Sequence, residues 1–359
     1  MKRFVEYLAE AITDGPRIPH PEDSVLLGSA EAKKYANALT EIVRNPQAAT
    51  IKWDGGIALY FGRNQQGQFF ITDKYMPAKG VYPTSPQGWR DYDNNRGANR
   101  TNLYEKIEAL WPGLEASVGN TTGVFKGDLM ADGEEMIPRD NNFIFKPTTV
   151  TYTVPANSYL GQLMTDKVAL IVVHEFAGRP WDGKTGLANV SNVAVVPPNI
   201  NLSFALPNSN ALLSKVVGLQ SVITTYGTLA DEFVAGLDNV ARKLLGTYLN
   251  HVRTQQTKDT INVWLKTHAN NKQYQNLIGD GTSGYMAQNK AGLDSLYKIW
   301  QSMFEVKVEI YQAFESQIQG FNQTTATGDG GEGIVFPTSL GLIKLINPNF
   351  GSAHFAKPH

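Results

Sequence analysis

The chain changes from strand-like to helical patterning and then returns to strand-like patterning near its end. Short segments rich in β-branched and aromatic residues, separated by Gly, Asn, Asp or Pro, recur from residue 50 to residue 196. Apolar residues then recur at helical spacing from Leu212 to Ile318. Strand-like segments resume at Gly333–Phe336 and Leu340–Leu345. Because strands return after the helical block, the pattern predicts an insertion into a strand-rich core.

Between residues 46 and 204, the pattern predicts eight strands and one helix, Leu103–Leu110. The strands are Thr50–Lys52, Ile57–Phe61, Phe69–Thr72, Gly123–Asp128, Phe143–Phe145, Val150–Val154, Val168–Phe176 and Val193–Val196. We therefore expect an α+β fold, with a core of antiparallel β-sheets and helices plus an all-helical insertion.

The first 45 residues are predicted to form two helices joined by a proline-containing loop. The opening MKRFVEYLAEAI is interrupted by Glu6 and Glu10, which indicates an amphipathic helix rather than the apolar region of a signal peptide. The second helix is predicted from Ala30 to Val43. The expected domains are an N-terminal helical segment at 1–45, a core at 46–204 and 321–359, and a helical insertion at 205–320.

Composition allows a folded protein and excludes several kinds of site. Hydrophobic residues make up 42% of the 359 residues, which is enough for a substantial core. The 32 Lys and Arg residues against 33 Asp and Glu argue against a uniformly basic surface, so a polyanion partner must meet a local patch. The absence of cysteine excludes disulfide-linked partners, thiolate metal sites and cysteine nucleophiles. No apolar run is long enough to cross a bilayer, so we expect a soluble, cytoplasmic protein without a membrane partner.

Four short motifs stand in order along the predicted strands. They are Lys52-Trp-Asp54-Gly55, Phe125-Lys-Gly127-Asp128, Glu332-Gly333-Ile-Val335 and Leu342-Ile-Lys344-Leu. Each motif alone is weak, since a lysine before Asp-Gly is also an ordinary surface turn. The residue types suit nucleotide chemistry, because a neutral lysine amine can attack phosphorus and carboxylates can hold Mg²⁺. Their order and strand context make the set more specific than its members.

The ordered set resembles the covalent nucleotidyltransferase superfamily of ATP-dependent RNA and DNA ligases and mRNA capping enzymes. The family signatures are K-x-(D/H/N)-G, F-x-G-(E/D), E-G-h-V and a terminal lysine strand, and they fit the four motifs in that order. The resemblance covers roughly residues 46 to 204 and 321 to 350 and has no counterpart for the helical block. It implies a nucleotidyltransferase core of antiparallel sheets with a nucleotide cleft.

The resemblance also implies residue roles and cofactors. Lys52 would accept AMP from ATP as lysyl-AMP, with Lys344 and Glu332 completing the catalytic set and Mg²⁺ or Mn²⁺ held by Glu332 and Asp128. The implied nucleotide-binding residues are Lys52, Asp54, Gly55, Lys74, Asp128, Phe176, Glu332 and Lys344. Among them, Asp128 would contact the ribose, Phe176 would stack on the adenine, and Lys74 or Arg63 would add positive charge.

Three positions depart from the family pattern. The last motif usually carries two lysines, but Leu342 occupies the first position. The arginine that often follows the first motif is replaced by Ile57, and the carboxylate of the second motif is Asp128 rather than a longer glutamate. A missing phosphate contact would slow adenylylation or leave a fold without catalytic activity.

The resemblance favours a polynucleotide ligase that joins RNA or DNA strand ends. Only 15 residues follow Lys344, too few for the oligonucleotide-binding barrel of DNA ligases and capping enzymes, so an RNA ligase is favoured. The helical block carries a local excess of basic residues, interleaved with Tyr248, His251, Trp264 and His268, which suits a nucleic-acid backbone. These basic residues are Arg242, Lys243, Arg253, Lys258, Lys266 and Lys272.

Other interpretations remain open from sequence. The protein could be a nucleic-acid-binding or interaction protein that kept the fold and lost the chemistry, or it could transfer a nucleotide to a protein or small molecule. The donor could be GTP, and the joined ends could be nicked or single-stranded.

Residues 178–185 match the P-loop pattern G-x-x-x-x-G-K-[ST], but the following residues predict a strand where a P-loop requires a helix. His174, on an apolar strand, is predicted to be a hydrogen-bonded core histidine.

Overall fold

The computed structural model describes residues 18–350, apart from residues 190, 201–204, 255–256 and 327. The helices are α1 (Ser29–Arg44), α2 (Pro86–Asn95), α3 (Thr101–Val118), α4 (Tyr159–Met164), α5 (Ser209–Ala235), α6 (Asn239–Arg253), α7 (Ile261–His268), α8 (Asn271–Leu277), α9 (Tyr285–Gln288) and α10 (Lys290–Glu315). The strands are β1 (Thr50–Lys52), β2 (Ile57–Arg63), β3 (Phe69–Thr72), β4 (Gly123–Asp132), β5 (Asn142–Phe145), β6 (Thr151–Pro155), β7 (Ala169–Phe176), β8 (Arg179–Pro180), β9 (Val193–Val196), β10 (Asn322–Thr325), β11 (Gly328–Asp329), β12 (Gly333–Thr338) and β13 (Gly341–Ile346).

The predicted α+β class with antiparallel sheets is confirmed. Each predicted strand is present, the helix predicted at Leu103–Leu110 extends over α3, and α1 matches the second predicted N-terminal helix. The sequence pattern missed helices α2 and α4 and strands β8, β10 and β11. The amphipathic helix predicted for the opening residues lies outside the described residues. None of the described helices is long and apolar enough to cross a membrane.

Contacts divide the described residues into two compact units. Unit 1 comprises residues 51–200 and 319–324, and unit 2 comprises residues 18–50, 205–318 and 325–350. This division differs from the predicted domains, because the C-terminal strands group with the helical block. The buried side chains of the β12–β13 hairpin explain the grouping: the ring of Phe336 lies 4.7 Å from that of Phe314 on α10.

Unit 1 is built around a sheet whose larger apolar face packs against helices. Strand β2 pairs with β3 and β4, and β4 pairs with β7, all antiparallel, while β9 joins β7 in parallel. Alternate residues of these strands, such as Leu59, Phe125 and Ile171, form one buried core with side chains of α2 and α3, such as Trp89 and Leu114. The opposite face, called the polar face below, carries polar side chains beside a smaller buried cluster of Tyr60, Phe70 and Val124.

A smaller antiparallel sheet completes unit 1. Strand β6 pairs with β5 on one side and with Asn322–Thr324 of β10 on the other. This sheet contributes three buried aromatic side chains, Phe143, Phe145 and Tyr152. The ring of Tyr152 connects it to the first motif, as described below.

Unit 2 consists of the helical block together with α1 and the β12–β13 hairpin. Helix α5 packs against α1 and α10. The hairpin pairs Gly333 with Ile346 and Val335 with Lys344. Thr50, at the start of β1, donates a hydrogen bond from Oγ1 to the carbonyl of Val335 at 3.2 Å.

Candidate functional site

Trp53 anchors the first motif in unit 1. It is 3% exposed, and its ring stacks on those of Tyr152 and Phe321 with centroid distances of 5.1 Å in both cases. The indole Nε1 donates a hydrogen bond to the carbonyl of Pro198 at 3.2 Å. Buried aromatic contacts of this kind fix the backbone on both sides of the ring. The neighbouring Lys52 therefore leaves the core from a defined position.

Asp54 ties the motif to the start of β6. Its backbone N–H donates to the hydroxyl of Tyr152 at 2.8 Å. Its carboxylate Oδ2 accepts hydrogen bonds from the backbone N–H groups of Thr149 at 2.6 Å and Val150 at 3.0 Å. Hydrogen bonds to a carboxylate are among the stronger ones in proteins. Asp54, predicted to bind nucleotide, thus also shapes the turn that follows Lys52.

Gly55 packs directly on Asp128, the carboxylate of the second motif. A Cβ atom at Gly55 would lie 2.3 Å from the Cβ atom of Asp128 and 2.8 Å from its Oδ2. Asp128 lies on β4, opposite Ala58 of β2 and Val172 of β7. Unit 1 therefore brings together two motifs that are far apart in sequence, and only glycine permits the approach.

Replacing Gly55 by alanine is expected to destabilise unit 1 by ~1–3 kcal/mol, because the added methyl group overlaps Asp128 and must displace it. Urea unfolding measures this loss. Gly88→Ala is a matched control in the same unit, since its new Cβ atom would meet nothing closer than 3.5 Å. Equal unfolding free energies for the two variants would contradict the described packing.

Asp128 lies on the polar face of the main sheet, together with Lys126, His174 and Glu175. His174 Nε2 lies 2.9 Å from Asp128 Oδ2, and Lys126 Nζ lies 3.3 Å from Glu175 Oε1. Burial lowers the pKa of Lys126, but Tyr60, Glu175 and Asp128 outweigh burial and raise the pKa above the ordinary value of 10.5. Lys126 is therefore a charged lysine and a poor nucleophile.

His174 is hydrogen-bonded as predicted, but it is not a core residue. Its side chain is 26% exposed, because it stands on the polar face and not among the apolar side chains of β7. Its backbone carbonyl accepts a hydrogen bond from Trp181 N–H at 3.0 Å.

The structure does not bring Phe176 together with Asp128. Phe176 pairs with Phe125 across β4 and β7, and the two rings stack with a centroid distance of 4.3 Å. Both rings belong to the apolar side of the sheet, whereas Asp128 lies on the polar face. Strand alternation therefore separates the predicted adenine-stacking ring from the predicted ribose contact.

The two predicted sources of positive charge in unit 1 lie in different settings. Lys74 is exposed, with Nζ 4.9 Å from the ring centroid of Tyr75. Arg63 pairs with Glu115 at 3.1 Å and donates to the carbonyl of Gly67 at 2.9 Å. Arg63 is thus committed to fixing the β2–β3 hairpin to α3.

Glu332 and Lys344 share a cavity of about 140 Å³ in unit 2. Asn347 N–H donates to the carbonyl of Glu332 at 2.9 Å, and Lys344 N–H donates to that of Pro19 at 3.3 Å. The remaining lining comes from His20, Asn250, Arg253, Thr254, Ile346, Asn347, Pro348 and Phe350. The cavity therefore combines basic side chains with one carboxylate.

The described residues contain no group of three His, Asp or Glu side chains that could hold a metal ion on its own. Mg²⁺ in phosphate chemistry commonly needs only one or two carboxylates, because substrate oxygens complete its coordination. The single carboxylate of Glu332 beside Lys344 fits that requirement. Asp128, the other predicted ligand, belongs to unit 1.

A buried ion cluster in unit 2 includes Arg253 of the cavity wall. Glu22 and Lys307 are both 0% exposed, and their Oε1 and Nζ atoms are 2.5 Å apart. Arg253 Nη1 lies 3.2 Å from Glu22 and 2.9 Å from Asp23. Burial raises the pKa of Glu22, but Lys307 and Arg253 outweigh it and hold the pKa below the ordinary value of 4.5. The carboxylate of Glu22 therefore stays ionised.

The basic stretch of the helical block is only partly arranged as a nucleic-acid surface. The exposed members are Lys243, Lys258, Lys266 and Lys272. Arg253 is committed to the ion cluster, and Arg242 donates to the carbonyl of Val234 at 3.2 Å. Trp264 and Tyr248 are 2% and 5% exposed, so neither presents a face for base stacking. Both aromatic residues lie on the apolar faces of their helices and are therefore buried.

His251 and His268 belong to the packing around Trp264. The indole Nε1 of Trp264 donates to His251 Nδ1 at 3.0 Å, and His268 stacks on the indole at 4.0 Å. Burial, with a smaller effect from His268, lowers the pKa of His251 below the ordinary value of 6.5. The His251 ring therefore adds no positive charge to the exposed lysines at neutral pH.

Residues 178–185 do not form a P-loop. The carboxylate of Asp182 accepts hydrogen bonds from the hydroxyl and N–H of Thr185 and from the N–H of Lys184. These bonds lower the pKa of Asp182 to about 2. Among the described residues, no helix intervenes between Thr185 and β9. The segment therefore lacks the helix N-terminus that would receive phosphate.

Residues 17–184 match the model of a family of unknown function (DUF6267). The match spans just under half of the chain and includes Lys52, Asp128 and His174. No curated protein matches the chain, and no solved structure does.

Proposed function

We propose that the protein is a covalent nucleotidyltransferase in which Lys52 accepts AMP from ATP. The observation that supports this most strongly is the contact of Gly55 with Asp128, which joins the lysine motif to the second carboxylate motif. Because the motif directly precedes β2, which pairs with β4, the sheet holds the lysine motif beside this carboxylate. A nucleotide site needs both groups at one place.

In this reaction the neutral amine of Lys52 attacks the α-phosphorus of ATP. A P–N bond forms, the bond to the β-phosphate oxygen breaks, pyrophosphate leaves, and the amine proton passes to solvent. Asp128 accepts a hydrogen bond from the ribose. By the resemblance, Lys344 would balance phosphate charge and Glu332 would hold Mg²⁺, whose charge would offset that of the phosphates.

The proposed acceptor is a 5′-phosphorylated polynucleotide end, RNA in preference to DNA. AMP moves from Lys52 to the 5′-phosphate, and a 3′-hydroxyl then displaces AMP to form the phosphodiester bond. The exposed Lys243, Lys258, Lys266 and Lys272 support an interaction with a nucleic-acid backbone. Two other acceptors, a protein and a small molecule, share the first step.

One observation favours a second candidate, a nucleic-acid-binding protein that has lost the chemistry. Leu342 stands where the family carries its first phosphate-binding lysine, and it is 39% exposed on β13. An exposed leucine supplies no charge for a leaving pyrophosphate. This candidate predicts polynucleotide binding without covalent labelling.

Incubation with α-labelled ATP or GTP and Mg²⁺ or Mn²⁺, followed by denaturing electrophoresis, separates these candidates. We expect a covalent label from ATP that is removed by added pyrophosphate, because the first step is reversible. A chase with 5′-phosphorylated RNA and DNA, single-stranded and nicked, should move the label to RNA and yield joined strands. No label with either nucleotide would contradict the proposal. A label that no strand accepts would assign the protein to transfer onto a protein or small molecule.

A further inference from the structure

Strand β7 carries one extra residue opposite the second motif. Lys126 pairs with Glu175 and the next residue, Gly127, pairs with Val173, so His174 has no partner on β4. This two-against-one pairing is a β-bulge, which re-aims a side chain and is frequent beside functional sites. Val173 remains buried in the core, while His174 and Glu175 are both partly exposed. Regular alternation would have sent one of these two side chains into the core.

The bulge brings the imidazole of His174 to Asp128. Nε2 of His174 lies 2.9 Å from Oδ2 of Asp128, and the two side chains are 26% and 23% exposed. In the described part of the chain, no hydrogen bond reaches the other carboxylate oxygen, Oδ1. One oxygen is thus held by the ring, which fixes the carboxylate plane, and the other is available to a ligand.

The chemistry of this pair suits a hydroxyl group. A carboxylate oxygen accepts a hydrogen bond from a hydroxyl, and a fixed orientation lowers the entropy lost on binding. Because Gly55 packs on Asp128, a hydroxyl bound here would lie beside the turn that follows Lys52.

Resting on the function proposed above, we propose that His174 is a positioning residue: it orients Asp128 to accept a hydrogen bond from the ribose 2′-hydroxyl. The His174–Asp128 pair thereby makes the protein prefer ATP to 2′-deoxyATP. Loss of His174 leaves Asp128 in place and frees its carboxylate to rotate. A variant without His174 should therefore lose most of its preference for ATP over 2′-deoxyATP, and its labelling by ATP should fall less.

The test compares ATP with 2′-deoxyATP in the full-length protein and in His174→Ala, His174→Gln and Glu175→Gln. We expect the wild-type protein to favour ATP by roughly 10-fold or more, in labelling rate and in dissociation constant, as for a hydrogen bond to a charged acceptor. His174→Ala should bring this ratio to within about 3-fold of unity. His174→Gln should restore much of it, because its amide can donate to Asp128. Glu175→Gln, a neighbouring change that does not touch Asp128, should leave the ratio unchanged.

An unchanged ratio in His174→Ala would overturn the role of His174, whatever the labelling. Equal binding or equal labelling of the wild-type protein by the two nucleotides would also overturn this role. A wild-type protein that binds neither nucleotide would overturn it as well. Binding that prefers ATP and depends on His174, without any covalent label, would support the inference while contradicting the proposed function. The binding measurement therefore separates the two failures.

Discussion

Replacing Lys52 by alanine is expected to reduce covalent labelling by AMP by a factor on the order of 10³ or more, because the variant has no amine to attack phosphorus. The fold should survive, since Trp53 and Asp54 hold the turn through their own contacts. Circular dichroism and the thermal midpoint of the variant should match those of the wild-type protein. Lys52→Arg should be equally inactive, because a guanidinium stays protonated.

Lys184→Ala is the matched control for this experiment. Lys184 is exposed and carries the lysine position of the P-loop-like segment. We expect its labelling to equal that of the wild-type protein. A loss of nucleotide binding in Lys184→Ala with retention in Lys52→Ala would contradict the assignment and favour the P-loop interpretation.

Replacing Lys307 by methionine is expected to lower the free energy of unfolding by ~3–5 kcal/mol, because Glu22 is left as a buried charge with one partner fewer. Both side chains are fully buried and in direct contact. Urea denaturation measures the loss. The double variant Glu22→Leu/Lys307→Met should recover most of it, since no uncompensated carboxylate remains. A single variant within about 1 kcal/mol of the wild-type protein would contradict a buried, ionised pair.

The same cluster makes the free energy of unfolding depend on pH. The pKa of Glu22 is held below 4.5 in the folded protein, so the folded state binds a proton less readily than the unfolded chain. Its contribution to stability is therefore present above about pH 4.5 and is lost as the pH falls through the folded value. The difference in unfolding free energy between wild-type protein and Glu22→Gln should shrink with acid.

Much of the fold could be predicted because strand and helix patterns were locally consistent. The apolar, β-branched strands of unit 1 and the long periodic helices α5 and α10 carry strong signals. Helix α2 was missed because Gly88 and its Asp and Asn residues weaken the helical pattern. Its signal lay in the capping instead: Ser85 accepts a hydrogen bond from Gly88 N–H, and Pro86 occupies the first helical position.

The sequence predicted the candidate site only where the site follows from the order of the motifs along the chain. The pairing of the Lys52 motif with Asp128 follows from two strands of one sheet. The position of His174 could not be predicted, because it depends on a one-residue bulge that reverses the expected alternation. Phe176 was assigned to nucleotide binding from the resemblance, but the strand register places it on the face opposite to that of Asp128.

The helical block shows a similar limit. Positive charge between residues 242 and 272 predicted one basic surface, yet Arg253 is drawn inward by Glu22 and Asp23, which lie far away in sequence. Tyr248 and Trp264 of the same stretch had a stronger reason to be buried, because each lies on the apolar side of its helix. Local charge counts do not reveal such long-range pairing.

The most direct measurement is to locate the adduct after incubation with ATP and Mg²⁺, by tryptic digestion at neutral pH and mass spectrometry. The account predicts a peptide of residues 45–63 that carries one AMP on Lys52, because trypsin does not cleave after the modified lysine. The unmodified protein should instead be cut after Lys52. An AMP adduct on another residue, or no adduct at all under conditions in which ATP binds, would contradict the assignment of Lys52 as the nucleophile.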